Sequence, residues 1–176
     1  MSVDRSIRIT RLRTTIAVMA ALATFAASAY TPAAAHMPDK TSKVRKHIKR
    51  RAKRQIGTPY AYGGTTSAGF DCSGFTRWVY RRHGARLPHS SLSQFRLAGE
   101  RGARRIWSKT RLKKGDLVFF DTTGSRVGHA GVYVGKGKFI SATSSRGVRR
   151  ESVWDPYYWG SRFVGGIRLR AMRRRS

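Results

Sequence analysis

The stretch GHAGVYVGKGKFISAT, residues 128–143, leaves this chain little choice of local structure. Two runs rich in β-branched and aromatic residues flank Gly135-Lys136-Gly137, and that pattern predicts an antiparallel hairpin. With residues 135–137 as the loop, 134 pairs with 138 and 131 with 141. Successive strand side chains point to opposite faces, so His129, Gly131, Tyr133, Phe139, Ser141 and Thr143 share one face. Gly131 leaves room beside the His129 imidazole, and Ser141 lies diagonally across from it.

The segments around the hairpin supply the rest of a fold. Residues 40–56 predict a basic helix, with Val44, Ile48, Ala52 and Ile56 spaced by four. GTPYAYGGTTSAG (57–69) reads as a Gly-rich loop. Phe75, Trp78 and Val79 repeat at helical spacing, and Gly84 can close that helix. A Pro break at LPHSS leads into a short helix. GDLVFFD (115–121) and RFVGGIRLR (162–170) read as strands. Helices come first and strands second, which predicts an α+β fold with a segregated antiparallel sheet. The chain has 176 residues, 40% of them hydrophobic, enough for one domain with a packed core.

Cys72 is the only cysteine, so no internal disulfide is available. It follows Asp71, a good N-cap residue, so a helix is expected to start at Cys72. A thiol there sits near the positive end of the helix dipole, which favours the thiolate. Free backbone N–H groups at the same end can hold an oxyanion. Ser73 and Gly74 are small and leave space beside the sulfur. The plain alternative is a buried cysteine acting as a small hydrophobe. A nucleophile needs a base, and the histidines are His36, His47, His83, His89 and His129. His83 stands eleven residues further along the expected helix, about 16 Å away. His129 opens a strand after a Gly/Ser loop and is the favoured partner.

Charge and the N-terminus bear on location. The chain carries 37 Lys and Arg against 8 Asp and Glu, a net +29. Residues 1–13 are basic, residues 14–30 are apolar or small, and Ala27-Ser28-Ala29 and Ala33-Ala34-Ala35 both resemble cleavage sites. That order predicts a secretory signal peptide over 1–35. Its loss leaves 33 Lys and Arg against 7 Asp and Glu, or +26. Such a charge favours polyanions: nucleic acid, or anionic envelope polymers for an exported protein.

GTPYAYGG, FDCSGFTRWVY, LPHSS with Gln94, LKKGDLVFF, GHAGVYVGKGKFISA and DPYYWGSRFVGGIR occur in order, and together they resemble the NlpC-type family of cell-wall cysteine peptidases. The resemblance implies a papain-like α+β fold, with a Cys-bearing helix packed on a small antiparallel sheet. It implies hydrolysis of an amide bond in peptidoglycan stem peptides, either the γ-D-Glu to diamino-acid link or the D-Ala cross-link. Cys72 would be the nucleophile and His129 the general base, while Tyr60, Asp71 and Ser73 would line the substrate cleft. Family members usually place a His, Asn or Gln where this chain has Ser141, to accept the imidazole Nδ1–H; Ser141 is the expected, shorter third member. The domains expected are a signal peptide (1–35), a basic lead segment (36–56), a catalytic domain (57–168) and a basic tail (169–176). The expected enzyme is exported, periplasmic or secreted, and monomeric. It needs no cofactor or metal, since the His and Cys spacings match no zinc pattern. A wall-binding protein with a weakened triad, or a basic nucleic-acid binder, are the competing readings.

Overall fold

The computed structural model describes residues 40–99, 103–124 and 126–170. The expected signal peptide and residues 171–176 of the basic tail lie outside the described residues.

The hairpin forms from β5 (His129–Gly135) and β6 (Lys138–Thr143), with Val132 opposite Ile140 and Tyr133 opposite Phe139 as expected. Its end differs. The loop has two residues, Lys136 (φ 55°) and Gly137 (φ 69°), and Gly135 pairs with Lys138 after a register shift. Two left-handed residues make the kind of turn that matches the right-handed twist of paired strands.

Around this hairpin run β3 (Arg104–Ile106), β4 (Leu117–Phe120), β7 (Gly147–Ser152) and β8 (Phe163–Arg168), in a six-stranded antiparallel sheet ordered β3-β8-β4-β5-β6-β7. A two-residue pair, β1 (Thr65–Thr66) and β2 (Gly69–Phe70), ties the Gly-rich loop together. The helices are α1 (Lys40–Lys53), α2 (Cys72–Arg81), α3 (Ser91–Arg96) and α4 (Trp159–Arg162).

Alternation sorts the sheet into two cores. Leu117, Phe119, Ala130, Val132, Ile140 and Ala142 pack with Phe75 and Val79 of α2. Val118, Phe120, Tyr133 and Phe139 pack on the other face with Val153 and Trp159. Lead helix α1 joins the first core through Ile48 and Ala52. It stops at Lys53, so Ile56, expected on its apolar stripe, falls in the following turns and is exposed. A buried carboxylate, Asp116, fastens α1 to the sheet. It accepts from Arg45 of α1 (3.2 Å), from Arg168 of β8 (2.9 and 2.7 Å) and from the Lys113 backbone N–H (2.7 Å).

Candidate active site

The loop that delivers Cys72 is held by backbone bonds. Asp71 N–H donates to the Gly64 carbonyl (3.1 Å), and Phe70 N–H to that of Pro59 (3.1 Å). Asp71 then leaves extended backbone (φ −87°, ψ 174°) and caps α2, its Oδ1 accepting from Gly74 N–H (2.6 Å) and from the Ser73 hydroxyl (2.9 Å). This is the N-cap geometry that satisfies the unpaired N–H groups of a first turn. Its other oxygen accepts from His89 Nε2 (2.7 Å). Gly74 has to be glycine, since a Cβ there would run into the Gly64 carbonyl oxygen. Buried Gln94 locks the back of the turn. Its amide donates to the carbonyls of Ser73 (3.0 Å) and Pro88 (2.8 Å) and accepts from the Thr76 hydroxyl (2.7 Å).

Cys72 therefore starts α2 as expected, but its burial works against ionisation of the thiol. Burial pushes its pKa up and the Asp71 carboxylate adds to that; backbone hydrogen bonds at Ala130, Ser73 and Cys72 pull the other way. The expected gain from the helix end is outweighed by desolvation of the charged form. Half-buried Tyr60 is close enough to feel the same charges: burial raises its phenol, and Cys72 and Asp71 raise it further.

The contact at Ala130 carries the nucleophile to β5, since Ala130 follows His129. His129 points into the second core, opposite Phe120 on β4. Its ring lies 4.9 Å from that of Trp159, tilted by 33°, and 6.3 Å from that of Phe120. Burial alone brings its pKa down to about 4, so it is neutral at pH 7. His129 Nε2 and Ser141 Oγ are both buried, and neither has a hydrogen-bond partner. The expected bond between the imidazole and Ser141 is not formed. A Cβ on Gly131 would meet Phe139 Cδ2 at 2.7 Å and Ser141 Cβ at 3.2 Å, so Gly131 is what lets β6 approach here.

Residues 57–168 match the NlpC/P60 family. This chain belongs to that family. It is 39% identical over 117 residues to the peptidoglycan DL-endopeptidase CwlO of Bacillus licheniformis, covering 63% of this chain and 25% of the relative. It is 38% identical over 117 residues to the gamma-DL-glutamyl hydrolase of Bacillus subtilis, covering 65% and 27%. The solved NlpC/p60 domain of the peptidoglycan hydrolase SagA superposes with a TM-score of 0.59 at 30% identity, covering 71% of this chain and 98% of that one. The chain spans about a quarter of the length of the first two relatives.

The NlpC/P60 match begins at Gly57, beyond α1, although α1 shares the core. Within the matched region the structure gathers Cys72, Asp71, Ser73 and Tyr60 at the head of α2, and sets His129 and Ser141 on the facing strands. His47 and His83 pair edge to face at 6.3 Å, away from the head of the helix. Sequence reasoning missed three residues. His89 and Gln94 sit in a quoted motif, but a cap partner eighteen residues downstream leaves no periodic signal. Trp159 sits in DPYYWG, and nothing local shows that its ring meets one thirty residues earlier. Among the described residues no three His, Cys, Asp or Glu side chains converge as a metal site would require.

Proposed function

We propose that this chain is an exported peptidoglycan endopeptidase in which Cys72 attacks a stem-peptide carbonyl and His129 moves the proton. The observation that carries the reading is the meeting of α2 and β5. The lone thiol sits at a capped helix start, against the residue that follows a buried, neutral imidazole. A neutral imidazole can take a proton at pH 7. His129 accepts the thiol proton as sulfur bonds to the carbonyl carbon, and backbone N–H groups at the head of α2 face the developing oxyanion. The imidazolium then protonates the leaving amine as the C–N bond breaks, leaving an acyl-enzyme. Water, deprotonated by His129, releases the acid and restores the thiol. The relatives named DL-endopeptidase and gamma-DL-glutamyl hydrolase favour the γ-D-Glu link as the bond cut. The order of basic, apolar and small segments in residues 1–35 supports export, and the +26 that remains supports association with anionic envelope polymers.

A silent wall-binding protein of the same fold is the second reading. The raised thiol and the unpartnered Nε2 favour it. Purified sacculi separate the two. The wild type should release muropeptides with new free termini, while Cys72→Ala and His129→Ala should bind sacculi but fall in turnover by about 10² or more. Binding without release by folded wild type would decide for the silent protein.

A further inference from the structure

At the end of β5 far from His129, the Gly135–Gly137 turn gathers lysines from three segments. Arg45 donates to the Lys114 carbonyl (2.9 Å) and so sets one face of α1 against the 113–116 turn, whose Lys114 side chain crosses Gly135. Lys49 and Lys53 follow Arg45 at four-residue steps, on the same face. The Lys114 stem runs across Gly135, where a Cβ would meet its Cε at 2.8 Å. Lys136 is the tip of the turn, exposed. Mutual repulsion is felt at Lys49, whose ammonium pKa is lowered first by burial and then by Lys114, Lys53 and Lys136. Among the described residues none of these four lysines makes an ion pair. The described acids are engaged elsewhere: Asp71 with His89, Asp116 with Arg45 and Arg168, Glu151 with Arg149, and Asp121 and Asp155 with N–H groups of their own loops.

Beside this cluster stands an aromatic surface. The indole of Trp154 covers Gly137, with Cδ1 2.8 Å from where a Cβ would be, yet Trp154 remains 52% exposed. Lys109 Nζ stands 5.0 Å from its ring centroid. A flat exposed ring among cations presents a negative π face to the C–H face of a sugar, and ammonium groups to anions one sugar away.

We propose that Lys49, Lys53, Lys114, Lys136 and Trp154 bind an anionic glycan, a polymer of sugar rings carrying phosphate or carboxylate groups. The surface lies about 20 Å along β5 from His129, at 3.4 Å per residue, so it can hold the polymer while the cleft works. The source of that polymer rests on the proposed envelope location; the binding does not.

The test is equilibrium binding of the purified chain to labelled glycosylated poly(glycerol phosphate), polygalacturonate, neutral dextran, sugar-free polyphosphate and single-stranded oligothymidylate at graded salt. Both charged glycans should bind and dextran should not; a preference between the two identifies the anion. The triple variant K49Q/K114Q/K136Q should weaken glycan binding about tenfold and flatten the log–log salt dependence by about two. Trp154→Ala should weaken glycan binding several-fold and leave polyphosphate binding unchanged. Wild-type binding by the triple variant would overturn the proposal in favour of diffuse charge. Tighter binding of oligothymidylate than of either glycan, lost in the same variants, would overturn it in favour of nucleic acid. Hydrolysis of a soluble stem peptide, followed on the same samples, should not change in the variants. Its absence in the wild type would count against the proposed function while leaving the binding result intact.

Discussion

Around Cys72 polar atoms are paired with one another, whereas around His129 they are not. Asp71 uses both oxygens, Gln94 uses both ends of its amide, and Ser73 and Thr76 donate into the same web. His129 is instead held between rings, with Nε2 and the nearby Ser141 hydroxyl buried and unpaired. One half of the site is positioned by directional bonds and the other by shape. Directional bonds fix an angle and fail one at a time; packing fixes a ring plane and fails when a neighbour is removed.

The sharpest way to break the contrast is Trp159→Ala. Removing a buried aromatic costs about 3–5 kcal/mol, and the freed imidazole should lose its orientation. We expect kcat on a soluble stem peptide to fall about tenfold or more in molecules still folded. Alkylation of Cys72 by iodoacetamide should hardly change, because the hydrogen-bonded half is untouched. Equal losses in both assays would show that the halves are one unit.

Acid should find the packed half next. His129 has a folded pKa of about 4 against an ordinary 6.5. The unfolded chain takes up a proton in that window and the native state does not. The neutral-imidazole contribution is therefore complete above pH 6.5 and is lost as pH falls towards 4, on the order of 3 kcal/mol. Urea unfolding at pH 7 and at pH 4.5 measures it, and His129→Gln should lose clearly less between the two. An identical loss in both proteins would remove His129 as the source.

A smaller effect is expected from the bonded half. Gln94→Leu keeps most of the volume but takes the amide donor from the Pro88 carbonyl and leaves the Thr76 hydroxyl and the Ser73 carbonyl only their bond to each other, costing about 1–3 kcal/mol by urea unfolding. It should also alter the Cys72 alkylation rate, since the Ser73 carbonyl it bonds lies in the first turn of α2. The smallest change belongs to Ser141→Ala. A buried hydroxyl without a hydrogen bond contributes nothing by staying, so stability should change by less than about 1 kcal/mol, or rise. A fall in kcat/KM with stability intact would show that Ser141 acts on His129 during turnover.

Much of this arrangement could be read from the chain because its signals are local. The hairpin follows from two alternating runs around Gly-Lys-Gly, and the start of α2 from Asp71 ahead of Phe75 and Val79. The strands that went unread are short or dominated by arginine. In β3, Arg104 and Arg105 precede the single buried Ile106; in β7, Val148 is buried, Arg149 opposite Ser141 is half-buried and Arg150 is exposed. Edge strands of this kind have too few apolar positions to show a period of two. The direction in which the thiol shifts went unread for a related reason. The helix end is visible in sequence, but the depth of burial that outweighs it is a property of the folded whole. The unpaired state of Ser141 is likewise a matter of ångströms between neighbouring strands.

Asp116 serves two arginines that stand at opposite ends of the matched region, Arg45 before it and Arg168 at its close. A chain emerging from its N-terminus presents Arg45 and Asp116 well before Arg168 exists to join them. Until it does, the buried carboxylate has half of its positive company, and burying a charge so served is costly. Seating of the lead helix is thus tied to arrival of the last strand. A copy truncated just before residue 168 should expose α1 to proteolysis.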